Sequence, residues 1–244
     1  MSAISQFKIR RLRRAELPHD TVELARFLIG KVVVHELASG RLSGRIVEAE
    51  AYPPGDPAGH HFRGPTPRIR SMYLHPGHAY VFFNYGAHFM LNVASEPEGV
   101  AGGILIRALE PLEGVEWMQK HRVGSRGGEM RLVDLTRGPG RLAAALQIDR
   151  RHDGVDLCGS DSALWLGELV ADEGTQDSAA GRPRIVSKTV RIGITRAADK
   201  LFRFYERNNP FVSGPKRLLA PAKKKSTSAK QKKTSSRESK QSYL

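Results

Sequence analysis

The sequence predicts one domain of mixed α/β (α+β) class, an antiparallel sheet core with a few flanking helices and a disordered basic C-terminal tail. Three observations carry this. Runs of β-branched and aromatic residues recur along the chain, parted by turns rich in Gly, Pro and Asn. Helical signals are few and short. The chain has 244 residues, 40% of them hydrophobic and without internal repeats, which suits a single sizeable core.

Each element follows from local chemistry. Asp20-Thr21-Val22-Glu23 is a capping-box pattern that opens a short helix, with Gly30 as its stop. Residues 31–37 (KVVVHEL) and 45–52 (RIVEAEAY) read as strands. Residues 53–77, rich in Pro, Gly and His, read as one long ordered loop. Residues 78–86, 88–95 and 103–109 read as three more strands, with Tyr85-Gly86 at the turn between the first two. Residues 110–122 read as a helix with Pro111 in its first turn. A second helix is expected over 138–148, behind Gly-Pro-Gly. Residues 160–184 read as irregular around the apolar patch ALWLGELV. Residues 184–194 read as strand-rich, and 201–214 as a last strand and closing loop.

Composition narrows the function. The net charge is +14, and seven Lys and one Arg against one Glu in 223–244 supply half of it. The body is therefore basic without its tail, which suits a polyanionic partner. Residues 1–16 form a basic segment, with Arg10, Arg11, Arg13 and Arg14 close together. A solvated segment is the expected reading, phosphate contact the sharper one. Residues 215–244 lack apolar side chains to offset ordering entropy and are expected to be disordered. Cys158 is the only cysteine, which excludes an internal disulfide and a Cys-rich metal centre. No apolar run reaches the ~20 residues of a membrane span, and no membrane partner is expected. The opening residues carry no apolar signal region. A cytoplasmic protein is expected, nucleoid-associated if bacterial and nuclear if eukaryotic.

Chemistry concentrates on one strand. Alternation along RIVEAEAY puts Ile46, Glu48, Glu50 and Tyr52 on one face and Arg45, Val47, Ala49 and Ala51 on the other. Two carboxylates beside an aromatic and a long loop are candidates for general acid–base work. Alternation alone leaves Glu48 and Glu50 equal, and a solvated polar face is the plain alternative. His60, His61, His75 and His78 lack the spacing and partner ligands of a metal site, so no metal is expected. The segment HAYVFFNYGAHF is dense in aromatics, most of them suited to core packing. Tyr85 stands at a Gly-flanked turn, where a side chain can project as a wedge into a base stack. PTPRIR (65–70) and Arg107 add cations, giving a basic surface interleaved with aromatics.

Several ordered segments carry a resemblance. VEAEAY (47–52), DPAGHHFRGPTPR (56–68), PGHAYVFFNYGAHFMLNV (76–93), ILIRALEPLEG (104–114), RGPGRLAAALQI (137–148) and RIGI with FRFY (191–205) are similar, in order, to the alkyladenine (3-methyladenine) DNA glycosylase family. The resemblance covers residues 17–214. It implies a curved antiparallel sheet and a protruding β-hairpin that enters the DNA minor groove. It implies Glu50 as general base and Arg107 near the catalytic water. Tyr52, His60 and Phe82 would hold the extruded base, with Leu105 on the same strand as Arg107. Asn92 would screen out the amino group of normal guanine. Tyr85 would fill the gap in the duplex, and Arg141 would contact phosphate.

The chain departs from the family pattern in places. Phe82 stands where many members carry a tyrosine. The approach from Tyr52 to His60 is one residue shorter than usual, which leaves His61 a rival for the pocket role. The segment 96–103 is longer than in some relatives.

The implied reaction is base excision on double-stranded DNA containing damaged purines of the 3-methyladenine, 7-methylguanine and hypoxanthine class. The implied enzyme is monofunctional, needs no cofactor and acts as a monomer. A non-enzymatic basic DNA-binding protein also explains the charge. A carbohydrate glycosidase could use the glutamate pair but gains nothing from a basic surface.

Overall fold

In a computed structural model of the protein, residues 7–84, 86–124, 128–170 and 185–219 are described. Nine strands form one antiparallel sheet: β1 (Ile9–Arg11), β2 (Val32–Leu37), β3 (Gly40–Tyr52), β4 (Ala79–Asn84), β5 (His88–Ala94), β6 (Gly103–Glu113), β7 (Leu164–Leu169), β8 (Val186–Thr189) and β9 (Arg203–Glu206). Their order is β1-β7-β2-β3-β6-β5-β4, with β9 paired to β3 and β8 to β9. Among the described residues four helices flank it: α1 (Thr21–Phe27), α2 (Val115–Val123), α3 (Leu132–Leu135) and α4 (Pro139–Ala145). This is the expected α+β class. Among the described residues, no helix is long and apolar enough to cross a membrane.

The helices cover one face of the sheet. Leu24 of α1, Leu28 at its C-cap, Met118 of α2 and Leu142 of α4 pack with Val33, Ile46, Leu91, Ile104 and Ile106 in the main core. Full burial of each such side chain contributes about 1.5–3 kcal/mol. The Asp20 carboxylate accepts from the Val22 and Glu23 N–H groups, both at 2.8 Å, and so caps α1 as its sequence predicts.

β3 is the axis of the fold. Its first half pairs with β2, and Glu48–Glu50 pair with β9. Its other edge pairs with β6 along most of its length. That pairing is broken at three points, the first between Ser43–Glu113 and Gly44–Pro111. Val47 has no partner between Ile46–Leu109 and Glu48–Ala108, and Arg107 has none before Ala49–Ile106. These are β-bulges, and each turns the strand over. The simple alternation of RIVEAEAY therefore fails at its start. Ile46 packs in the main core with Ala49 and Ala51, whereas Val47 packs with Ala108 and Tyr205 in a smaller cluster. From Glu48 onward the alternation holds, and both glutamates lie on the face away from the helices.

Two further expectations are corrected. Residues 110–113 are strand, not helix. β6 continues against β3 through Glu113–Ser43, and the helix starts only after Gly114, whose φ of 72° suits glycine. Pro111 is tolerated there because it faces Gly44 at a register break, where a missing N–H costs least. The patch in 160–184 is strand β7, set between β1 and β2; residues 171–184 lie outside the described residues. The long loop contains two 3-10 turns, His60–Arg63 and Pro67–Tyr73, the second burying Ile69 and Met72.

The basic opening segment is structural where it is described. Arg10 is paired with Glu16 and Glu168, Arg14 with Asp156 at 2.6 Å, and Arg11 lies over the Trp165 ring at 4.4 Å. Of the tail, 220–244 lies outside the described residues.

Candidate active site

The site is a row of side chains that runs across four strands. Tyr80 of β4 is opposite Asn92 of β5, Asn92 is opposite Leu105 of β6, and Leu105 is opposite Glu50 of β3. Register alone brings these residues onto one face. Above the row lies a cavity of about 390 Å³. Tyr52, His60, Phe82, Asn92, Leu105 and Arg107 line it, as do Tyr80, Met72 and Met90.

The two glutamates, equal by alternation, differ in surroundings. Both are fully buried. Glu48 is spent on structure: Oε1 accepts from Arg107 Nε at 2.9 Å and Arg203 Nε at 2.7 Å, and Oε2 from the Ser213 N–H at 2.6 Å. Glu50 has lighter company. Oε1 accepts from the Ile192 N–H at 2.8 Å, and Oε2 accepts from the Tyr52 hydroxyl at 3.0 Å and lies 3.2 Å from Arg107 Nη1. Those three partners all line the cavity, so Glu50 meets it through them. Burial raises the pKa of Glu50 above the usual carboxylate range, although Arg107 and the Ile192 N–H pull it back. Burial likewise raises the Tyr52 hydroxyl, with Glu50 adding to the effect, so Tyr52 stays a donor. Arg107 is more firmly cationic than usual: burial opposes its charge, but Glu50 and Glu48 outweigh it.

The aromatic wall is tightly built. Phe82 stacks on Tyr80 with centroids 5.3 Å apart, and His60 meets Phe82 edge-on at 4.5 Å. His60 Nδ1 lies 2.9 Å from the Tyr80 hydroxyl. Burial, then the charge of Arg68, lowers the His60 pKa, so the ring is neutral near pH 7. The two histidines differ in position, and only His60 lines the cavity. His61 Nε2 is bonded to the Pro53 carbonyl at 2.9 Å, and the ring does not line the cavity. The Asn92 amide donates to the Tyr80 carbonyl at 3.1 Å, which fixes its plane at the cavity edge.

Two sequence candidates are not in this group. Arg141 is exposed on α4, pairs with Asp134 at 3.2 Å and does not line the cavity, although Pro139 of the same helix does. Tyr85 lies outside the described residues; its neighbours Asn84 and Gly86 close the β4–β5 hairpin. Among the described residues no group of His, Cys, Asp and Glu could hold a metal ion.

The sequence reading missed several lining residues. Tyr80 reads as core, and it is buried, yet alternation along β4 places it beside Phe82 and was signal enough. Ile192, Gly193 and Ile194 carry no such signal, because what Ile192 offers Glu50 is a backbone N–H.

A buried carboxylate held by an arginine beneath an aromatic cavity on a basic protein is the arrangement that the resemblance implied. Residues 15–210 match the model of the methylpurine-DNA glycosylase family. The chain belongs to that family. Among relatives named "Putative 3-methyladenine DNA glycosylase", one from Mesorhizobium japonicum is 54% identical over 207 residues, covering 85% of this chain and 92% of its own. One from Paraburkholderia phytofirmans is 48% identical, covering 88% of this chain and 93% of its own. A third, from Chlorobium phaeobacteroides, is 44% identical over 80% of this chain and 92% of its own. The methylpurine-DNA glycosylase match thus spans the whole sheet from β2 to β9.

Proposed function

We propose that this chain is a monofunctional DNA-3-methyladenine glycosylase of base excision repair, with Glu50 as its general base and double-stranded DNA bearing a damaged purine as its substrate. The observation that carries the reading is the contrast between the glutamates: two of the three partners of Glu48, Arg203 and the Ser213 N–H, do not line the cavity, whereas Ile192, Tyr52 and Arg107, which hold Glu50, all do.

The target purine must leave the stack, at a cost of a few kcal/mol that a damaged pair reduces. Tyr52, His60 and Phe82 stack on it, and such stacking contributes about 1–3 kcal/mol per base. A cationic alkylated purine gains a further attraction to the ring faces. Tyr85 is assigned to the vacated space in the duplex, Asn92 to screening normal guanine, and Arg141 to phosphate.

Water attacks C1′ of the deoxyribose, and its proton passes to Glu50. The C1′–N bond breaks, and its electron pair leaves with the base. The products are a free purine and an abasic site. Glu50 has no exposed surface, so the water must displace one of its contacts. The longest is the 3.2 Å contact to Arg107, whose guanidinium keeps its anchor on Glu48. Among the described residues the lining of the cavity contains no lysine, which supports a mechanism without a Schiff base. The enzyme would act as a monomer.

The test is release of free base from duplex DNA carrying one 3-methyladenine or hypoxanthine. Release by the wild type, lost in Glu50→Gln, is expected. Salt-sensitive binding without release would instead favour a non-enzymatic DNA-binding protein.

A further inference from the structure

Arg191 is a fully buried cation that the reaction above does not use. Its guanidinium is paired with the carboxylate of Asp56, itself buried, with Nη2 at 3.1 Å from Oδ1 and Nη1 on Oδ2. Nη1 also donates to the Ala51 carbonyl of β3 at 2.9 Å. The same guanidinium lies 4.5 Å over the Tyr52 ring and 5.4 Å over Phe202. Arg191 does not line the cavity and Tyr52 does, so the ring stands between them. The next residue, Ile192, donates its N–H to Glu50.

These contacts converge on one function. Residues 190–202 contain no strand or helix, so no ladder holds the Ile192 N–H in place. The backbone either side of Glu50 is fixed by β3, but its acceptor geometry depends on this loop. At its far end the loop is tied to β3 by the Ala51 N–H, which donates to the Phe202 carbonyl at 2.8 Å; next to Ile192 the joint is a planar guanidinium clamped bidentately. We propose that Arg191, closed on Asp56, is a positioning residue of the glycosylase: it holds the Ile192 N–H on Glu50 and backs the Tyr52 ring against the extruded base. This rests on the assignment of Glu50 as general base.

Geometry also supplies the readout. The Ile192 N–H stabilises ionised Glu50, so loosening it makes Glu50 easier to protonate. The other groups facing Glu50 are Arg107 from β6, and Glu48 and Tyr52 from β3. Of these, Tyr52 touches Arg191 through its ring, and its hydroxyl, like the Ile192 N–H, favours ionised Glu50, so loosening either contact shifts Glu50 in the same direction. Base release needs ionised Glu50, so its rate falls as pH drops through the Glu50 pKa. A loosened joint moves that acid limb to higher pH.

The variants keep the local charge constant, so the limb reports these contacts and not a new field. Arg191→Lys retains the cation without the fork. The double variant Asp56→Asn, Arg191→Met removes both charges together and avoids stranding one of them in the interior. Single-turnover base release would be measured from pH 5 to 9 on duplex DNA with one hypoxanthine. Affinity for a duplex carrying an abasic site, and the unfolding midpoint, would be measured alongside. The expected result is a rate lower by about tenfold or more at pH 7, and an acid limb raised by about half a pH unit or more. Product-duplex affinity should stay within about threefold of wild type. Folded variants with wild-type rate and acid limb would overturn the proposal. So would a lower rate with an unmoved limb, which marks a purely structural pair. Absence of release by the wild type itself would instead bring down the assignment of function.

Discussion

Arg107 reaches Glu50 with Nη1 at 3.2 Å while its Nε stays 2.9 Å from Glu48. One guanidinium thus ties the carboxylate anchored by Arg203 and Ser213 to the one assigned as general base. The division of labour between the two glutamates gives the first two predictions.

Glu50→Gln should lower base release by about 10²–10⁴-fold, the usual range for a lost general base. It should also change how stability depends on pH. The folded pKa of Glu50 is raised, chiefly by burial, so its contribution to stability is full below the ordinary carboxylate range. That contribution is lost as pH rises through the folded pKa. Urea unfolding of wild type should therefore lose stability, as pH rises above the ordinary carboxylate range, that Glu50→Gln keeps. Parallel pH profiles for the two proteins would contradict this.

Glu48→Gln should act on folding first. It leaves the guanidinium groups of Arg107 and Arg203 buried without their shared counter-charge. Breaking such a buried pair costs about 3–5 kcal/mol. A urea midpoint close to wild type would show that Glu48 is not the anchor described here.

Phe82→Ala should weaken excision without unfolding the protein. The ring packs between Tyr80 and His60 and faces the cavity. Loss of one stacking partner predicts a fall in kcat/KM of about 5–150-fold, equivalent to 1–3 kcal/mol. Phe82→Tyr should keep stacking and change only the ranking among lesions, read from competition between hypoxanthine and 3-methyladenine duplexes.

His60 should stay neutral when free histidine is charged. Burial depresses its folded pKa, so the stability it contributes is full above the ordinary value of about 6.5 and is lost as pH falls through the folded pKa. His60→Asn should flatten the decline in unfolding midpoint between pH 7.5 and 5. An NMR titration of the His60 ring with a midpoint at or above 6.5 would contradict this.

Much of this was legible in the sequence. The capping box gave α1, and β-branched runs gave β2 to β5. The glutamate strand was visible too, but not its turnover at Val47, because a bulge is a property of pairing and not of composition. β7 was hidden for a related reason: LWLGEL resembles any short apolar patch until its neighbours β1 and β2 are known. The start of α2 was misplaced because Pro111 suits a first helical turn as well as a register break. Of the site, the carboxylate and the aromatic wall could be seen. The Ile192 N–H could not, since it lies 142 positions from Glu50 and involves no side chain.

The bulge at Val47 also makes the chemistry of this chain a matter of counting. Deleting one residue between Ile46 and Ala49 could leave every surviving side chain intact and still ruin the protein. The downstream strand would turn over, sending Glu50 toward Leu91 and Ile106 and presenting Ala49 and Ala51 to the cavity. The loop from Tyr52 to His60 leaves the sheet, and a residue gained or lost there reverses no strand. Descent can therefore edit the length of one stretch freely and of its neighbour hardly at all, although the two are joined end to end.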